Sequence, residues 1–140
     1  MLSFEASSII QADPAEVWAV LTDGPAWPTW DSGVARFEGT IADGHKVTVF
    51  PTVNPKRGFP VRVVEFVPAQ RMTWRGGMPL GLFTGTRTFE LTPRPDGTVR
   101  FAMREEYTGP LAGLIGRSIP DLGPSFIQFA NGLKQQVEGP

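Results

Sequence analysis

The chain contains 140 residues, of which 41% are hydrophobic, and its formal net charge is −1 at pH 7; these values suit a single domain, residues 1–140, with its own core. No run of Lys or Arg is longer than the pair Lys56-Arg57, so the sequence lacks the basic footprint of a nucleic acid partner. Cysteine is absent and His45 is the only histidine, which excludes disulfides, thiolate nucleophiles and metal sites that need several Cys or His ligands.

The first predicted elements are a strand over residues 4–10 and a short helix with a well-marked start. Asp13 can accept hydrogen bonds from the first turn of this helix, Pro14 needs no N–H at the first helical position, and Glu16 stands where a capping-box carboxylate belongs. The apolar positions that follow at helical spacing are Val17, Trp18 and Leu21.

A short turn and a series of strands follow the helix. Residues 24–31 are too rich in proline for a long helix and predict one short turn with Trp27 and Trp30 packed inward. Six further strands are predicted, over residues 34–41, 46–50, 61–67, 71–75, 82–92 and 98–108. Tight connections such as Asp43-Gly44 separate these strands, which indicates an antiparallel sheet built of hairpins.

The chain changes character after the last strand. Residues 111–119 have apolar positions at helical spacing but are interrupted by glycines, and a longer helix is predicted over residues 125–138. The apolar stripe of that helix consists of Phe126, Phe129, Ala130, Leu133 and Val137. An antiparallel sheet of this size needs a cover on one face, and only the last helix is long enough to supply it.

Several of these segments resemble one superfamily. The segment Asp13-Pro14-Ala15-Glu16-Val17-Trp18 after the first strand, with Trp27 and Trp30 after the helix, resembles the START-like or SRPBCC superfamily. Residues 61–68 and 71–75 resemble the central hairpin of its polyketide cyclase/dehydrase and lipid-transport branch, and residues 126–138 resemble its closing helix.

This resemblance implies a fold and a range of functions. The fold is the α+β helix-grip fold, in which a curved antiparallel sheet of six to seven strands wraps around a long C-terminal helix, with two short helices after the first strand. In that superfamily the cavity between sheet and helix binds apolar small molecules in some members and supports cyclisation or dehydration in others. Fold alone does not choose between these functions.

Motifs of other enzyme classes are absent. The sequence has no Gly-x-Ser-x-Gly elbow, P-loop or dinucleotide glycine fingerprint, which excludes the corresponding hydrolases, NTPases and dehydrogenases. His45 stands beside Asp43-Gly44 at a predicted hairpin tip, where a solvated side chain is expected. We therefore expect no metal and no cofactor. The lack of a secretory leader and of a long apolar run predicts a cytoplasmic protein without a membrane span.

Alternation along the last hairpin places polar side chains on an otherwise apolar inner face. The inward positions of residues 98–108 are Val99, Phe101, Met103, Glu105 and Tyr107, and those of residues 82–92 include Gly85, Arg87 and Phe89. If Thr92 pairs with Thr98, then Arg87 faces Met103 and lies diagonal to Glu105. The inner face would thus hold two opposite charges and a phenol.

Two interpretations of these residues remain open. Since a buried charge needs a partner, Arg87 and Glu105 either form a structural ion pair or contact a ligand. In the second case Arg87 would anchor or polarise a carbonyl or carboxylate, Tyr107 would donate a hydrogen bond, and Glu105 would accept a proton. These three are the candidate catalytic residues.

The candidate ligand-binding residues are large apolar side chains that would face a cavity. They are Trp30, Met72, Trp74, Phe89, Phe101, Met103 and Phe126. Residues 76–81 and 111–119 are candidate gates over the cavity mouth. Core packing is the alternative role for each aromatic residue.

Three functions are compatible with the sequence. The first is binding of a small hydrophobic or amphipathic molecule between the sheet and the C-terminal helix. The second is a cofactor-independent cyclase or dehydratase acting on a carbonyl compound. The third is a protein-interaction module of the co-chaperone kind, which would use its surface instead of a cavity.

Overall fold

Seven antiparallel strands form one sheet in the computed structural model, which describes residues 2–139. The strands are β1 (Ser3–Ile10), β2 (Val34–Glu38), β3 (Lys46–Pro51), β4 (Phe59–Val67), β5 (Arg71–Gly77), β6 (Thr84–Pro93) and β7 (Val99–Thr108). Their order is β1-β7-β6-β5-β4-β3-β2. Each strand from β2 to β7 therefore lies beside its neighbour in the chain, and β1 completes the sheet by pairing with β7.

The helices lie between β1 and β2 and after β7. They are α1 (Pro14–Leu21), α2 (Ala112–Ile115) and α3 (Gly123–Glu138), with short 3-10 turns at Gly24–Thr29, Pro79–Gly81 and Gly116–Ser118. This arrangement confirms the α+β helix-grip fold. None of these helices, within residues 2–139, combines the length and the hydropathy of a membrane-spanning helix.

Helix α1 begins at the predicted residue but not with the predicted side-chain cap. Pro14 is its first residue, and the backbone carbonyl of Asp13 accepts hydrogen bonds from the N–H groups of Glu16 and Val17 at 3.0 and 3.2 Å. The carboxylate of Asp13 makes no capping hydrogen bond. The extended backbone of Asp13 and the fixed φ of Pro14 thus define the start of the helix.

The core consists of aromatic side chains from several elements. Trp27 stacks on Trp74 with ring centroids 5.6 Å apart, and Phe129 of α3 packs edge-on against Trp27 at 4.8 Å. Phe89 meets Trp74 at 4.9 Å from the β6 side. Because these rings are all almost fully buried, the middle of the space between sheet and helix is filled by the protein's own side chains.

Helix α3 is attached to β1 by polar contacts as well as by its apolar stripe. Ser8 Oγ donates a hydrogen bond to the carbonyl of Ala130 at 2.9 Å, and Lys134 Nζ donates to the carbonyl of Ile9 at 2.6 Å. Gly132 lies so close to the loop after the first 3-10 turn that a Cβ there would be 1.9 Å from the carbonyl oxygen of Asp31. These contacts fix the position of α3 along the sheet.

The register of the last hairpin differs from the expected one by two residues. Pro93 pairs with Val99, so Arg87 lies directly opposite Glu105 instead of Met103. The reason is the turn, which is centred on Asp96 and not on Pro95: the N–H of Arg94 donates to the carbonyl of Thr98, the N–H of Gly97 donates to the carbonyl of Arg94, and Gly97 has a φ of +85°.

Strand β2 is shorter than expected. It ends at Glu38 instead of reaching residue 41, because Gly39 turns the chain with φ of +100°. A Cβ at Gly39 would lie 2.8 Å from the carbonyl oxygen of Lys46 in β3, so the backbones approach closely where β2 stops.

Candidate ligand-binding site

Arg87, Glu105 and Tyr107 form a connected cluster on the inner face of β6 and β7, here called the inner cluster. Arg87 Nη2 lies 3.0 Å from Glu105 Oε2, and the Tyr107 hydroxyl donates a hydrogen bond of 2.7 Å to the same oxygen. The direct pairing of Arg87 with Glu105, and the position of Tyr107 two residues further along β7, bring the three groups together. One carboxylate oxygen therefore receives two donors.

Aromatic rings surround the inner cluster. The guanidinium carbon of Arg87 lies 4.8 Å from the ring centroid of Phe126 in the first turns of α3, a cation–π contact. Tyr107 stacks on Phe83 at 5.4 Å and meets Phe4 edge-on at 6.3 Å. The charges thus lie in an apolar setting that strengthens their interaction.

The inner cluster lies near the surface of the molecule and keeps one unsatisfied donor. The side chains of Arg87 and Glu105 are 24% and 13% exposed. Arg87 Nε is buried and has no hydrogen-bond partner among the described residues. A buried N–H without a partner is unfavourable, so an acceptor placed beside Arg87 Nε would be stabilised there.

The surroundings of Tyr107 shift the ionisation of its hydroxyl. Burial raises the pKa of Tyr107 above its ordinary value, and the negative charge of Glu105 and the hydrogen bond to it raise the pKa further. Tyr107 therefore stays protonated at neutral pH and donates to Glu105.

Glycine at position 85 makes room for the tyrosine ring. Gly85 lies directly opposite Tyr107, and a Cβ at this position would be 3.2 Å from Tyr107 Cε1 and 3.6 Å from Glu105 Oε1. The ring can therefore lie across β6 beside the carboxylate.

The residues predicted to line a cavity divide into two groups. Met72, Trp74, Phe89, Phe101 and Met103 are buried together in the aromatic core, where they pack against one another and against α3. Phe126 instead contacts the inner cluster through Arg87, and Trp30 packs at the edge of the core, 5.3 Å from Phe129, with a buried Nε1 that has no partner among residues 2–139.

Two surface depressions lie away from the inner cluster. One, of about 440 Å³, is on the outer face of β1, β6 and β7, and Met103 is among its lining residues. The other, of about 550 Å³, lies between the β1–α1 connection and the β6–β7 turn. Neither is lined by Arg87, Glu105 or Tyr107. Within residues 2–139, no group of three or more acidic or His side chains is placed to hold a metal ion.

The rim beside the inner cluster is apolar and consists of the two segments predicted as gates. The backbone N–H of Leu111 bonds to the carbonyl of Leu82 at 2.9 Å, which joins the β5–β6 connection to the segment before α2. The exposed apolar side chains of these two segments are Met78, Leu80 and Leu114, and the exposed Leu82 follows directly after the first segment. An apolar rim around a partly exposed charged cluster is a suitable entrance for an amphipathic molecule.

Phe4 and Phe83 contact the inner cluster although neither is among the candidate site residues predicted from the sequence. Phe4 reaches Tyr107 because β1 pairs with β7, with Phe4 opposite Glu105. No local pattern specifies that pairing across the chain. Phe83 lies one residue before β6, and alternation along residues 82–92 predicts it on the same inner face as Gly85 and Arg87.

A sequence profile of the family described as polyketide cyclase/dehydrase and lipid transport matches residues 1–138 of the chain. No curated protein matches it in sequence.

Solved structures with little sequence identity share the fold. A hypothetical protein from Helicobacter pylori superposes with a TM-score of 0.77 at 16% identity, covering 97% of this chain and 88% of that one. An aromatase/cyclase from a Streptomyces strain gives 0.72 at 12% identity, with 98% and 93% covered. A START superfamily protein from Mycobacterium smegmatis gives 0.66 at 13% identity, with 97% of each chain covered.

Proposed function

Because the chain belongs to the polyketide cyclase/dehydrase and lipid transport family, we propose that it binds a small amphipathic molecule at the inner cluster. The bound molecule has an apolar body and a carbonyl or carboxylate group. Arg87 carries this proposal, since it places on the apolar inner face a permanent charge and a buried Nε–H that has no partner among residues 2–139.

The arrangement assigns a role to each part of the ligand. Its carbonyl or carboxylate oxygen accepts from Arg87, while Glu105 and Tyr107 hold the guanidinium in place from the other side. Its apolar body packs against the aromatic rings beside the cluster and under the apolar rim. The filled centre of the core limits the ligand to the end of the inner face where β6 begins and β7 ends.

Removal of the Arg87 charge tests the proposal with dansylundecanoic acid, a fluorescent carboxylate with an apolar chain. We expect Arg87→Met to weaken binding about tenfold or more, because a hydrogen bond to a charged group is lost. The matched control is Arg104→Met, which removes the Arg104–Glu106 ion pair on the outer face of the same hairpin and leaves affinity unchanged. Equal affinities of the wild type and Arg87→Met would contradict the proposal.

Native mass spectrometry of freshly purified protein identifies the natural ligand class. A noncovalent mass that disappears in the denaturing spectrum would support binding and give the compound to use in place of the probe. An apo mass together with no binding of the probe would instead favour the protein-interaction module.

A cofactor-independent cyclase or dehydratase is the second candidate. The observation that favours it is the convergence of Arg87 and Tyr107 on one oxygen of Glu105, which leaves the second carboxylate oxygen to accept a proton next to a carbonyl polarised by Arg87.

An enzyme and a carrier respond differently to Glu105→Gln. If the protein is an enzyme, this substitution removes the base and abolishes turnover of the identified carbonyl compound, while affinity changes little because the amide still accepts from Arg87. Turnover that persists in Glu105→Gln, measured by product formation, would exclude Glu105 as the base.

A further inference from the structure

The charges of this chain are distributed unevenly along its length. Residues 44–64 contain Lys46, Lys56, Arg57 and Arg62 but no Asp or Glu, although the chain as a whole has a net charge of −1. In the fold this segment forms most of the hairpin of β3 and β4 with its connection, residues 46–67, here called the basic hairpin; the one carboxylate of that hairpin, Glu65, is paired with Arg71 of β5. Its positive charge therefore lies in one region of the surface.

Three cations form a row across neighbouring strands at the outer face of the sheet. Arg62 pairs with Lys46 of β3 on one side and with Arg75 of β5 on the other. They point outward, since the adjacent Val47, Val63 and Trp74 are buried in the core. Among the described residues, none of these three cations has a carboxylate within 4.0 Å.

This row is unfavourable for the isolated fold. Like charges directly opposite each other on adjacent strands destabilise a sheet, and the strands are only about 5 Å apart. Elsewhere in the described chain opposite charges are paired, as in Arg36–Glu38 within β2, Arg104–Glu106 within β7 and Lys134–Glu138 within α3. A row of three cations without counter-charges is instead suited to an external anionic surface.

The connection at the end of the basic hairpin adds exposed apolar side chains to the cations. Val53 is 79% exposed and Phe59 is 43% exposed, and Lys56 and Arg57 lie between them in the sequence. The guanidinium of Arg57 lies 5.0 Å above the ring of Phe59. Apolar tips next to cations are typical of segments that enter the boundary between lipid headgroups and acyl chains.

We propose that the basic hairpin docks on an anionic phospholipid surface. Lys46 and Arg62 of the hairpin, with Arg75 of the adjacent β5, would contact the headgroups along the outer face of the sheet. Lys56 and Arg57 would contact headgroups at the end of the hairpin, where Val53 would enter the interfacial layer. A nucleic acid backbone offers no apolar layer that an exposed valine could enter, whereas a lipid surface does. Three cations in a row are also few for a nucleic acid footprint, so both features fit a lipid surface better. The inner cluster is not involved.

Co-sedimentation with vesicles tests this proposal. The full chain is mixed with phosphatidylcholine vesicles that contain about one third phosphatidylglycerol, and with vesicles of phosphatidylcholine alone, at about 0.1 M salt. We expect binding to the anionic vesicles only. Because each cation near an anionic surface strengthens binding about fivefold, the double variant Lys56→Glu/Arg57→Glu should bind at least about 25-fold more weakly, and Val53→Asp should also bind more weakly.

The control is Arg94→Glu/Arg100→Glu, which changes the net charge by the same amount at exposed positions on β7 and its preceding turn. We expect this variant to bind like the wild type, with circular dichroism confirming that each variant is folded. The proposal would be overturned if the wild type did not bind anionic vesicles or bound neutral vesicles equally well. It would also be overturned if both double variants lost the same affinity for anionic vesicles, or if the protein bound an oligonucleotide but not vesicles.

Discussion

Arg87 carries a permanent charge on an apolar surface, and several neighbours stabilise that charge in different ways. Glu105 neutralises it, the ring of Phe126 offers a cation–π contact, and water reaches about a quarter of the side chain. The buried Nε–H of Arg87 is the part of this group that a ligand would still satisfy.

Tyr107 is the only tyrosine of the chain, so its ionisation can be measured without interference. We expect the absorbance change of phenolate formation to occur at a pH clearly above the ordinary value of about 10, because burial and Glu105 both raise the pKa. In Glu105→Gln the midpoint should move back toward that value. An ordinary midpoint in the wild type would contradict the described environment of Tyr107.

The same shift has a consequence for stability at high pH. The folded protein retains the Tyr107 proton at pH values where the unfolded chain has already lost it, so the stabilisation from this proton is complete below about pH 10 and is lost as the pH rises further. We expect the melting temperature of the wild type to fall more steeply above this pH than that of Tyr107→Phe, which serves as the control.

The sequence could predict which side of the hairpin these residues face but not their pairing. Alternation requires only that β7 be regular, which it is from Val99 to Thr108. The register depends on where the chain turns: the turn is centred on Asp96, with Gly97 at positive φ, so Arg87 lies opposite Glu105 instead of Met103. The sequence shows a glycine there but not its φ.

Among the elements, α3 depends most strongly on a glycine. Gly132 is in the middle of the helix, where glycine normally costs about 1 kcal/mol relative to alanine. The absence of a side chain at Gly132 lets the helix approach the backbone of Asp31. A Cβ at this position would also lie 3.3 Å from Cε3 of Trp30. The close contact between α3 and this loop therefore outweighs the helix propensity.

We expect Gly132→Ala to destabilise the protein by about 3 kcal/mol, since the added methyl group meets backbone that cannot move away easily. The matched control is Gly113→Ala in α2, where a Cβ has no neighbour within 4 Å and should stabilise by about 0.5–1 kcal/mol. Urea denaturation of both variants measures the difference. A stabilising Gly132→Ala would show that α3 lies further from Asp31.

Local sequence patterns predict which segments are helices and which are strands, but they do not predict several of the residues at which these elements begin or end. Helix α1 was predicted from Asp13-Pro14 and begins there, yet the backbone of Asp13 and not its carboxylate accepts the first hydrogen bonds. Strand β2 stops early because Gly39 lies against β3. Such contacts between distant backbones leave no signal in a hydrophobic pattern.

At the scale of the whole molecule, the aromatic residues decide how much room the fold retains. Alternation placed Trp74, Phe89 and Phe101 on the inner face without saying whether their rings would line a space or fill it. In the structure Trp27 and Phe129 from two other elements complete the packing, so the centre is solid and the inner cluster lies beyond it. Whether a cavity remains between the sheet and α3 therefore depends on how these five rings pack together.

The pairing of β1 with β7 also determines when the fold can be completed. Ser3 pairs with Glu106, and Ser8 bonds to Ala130 of α3, so β1 has no partner in the sheet until the strands from β2 to β7 have all been synthesised. During synthesis β1 is therefore an unpaired strand, available to other nascent chains or to chaperones. Closure of the sheet is then a late step, in which β1 joins β7 after every other strand of the sheet has been synthesised.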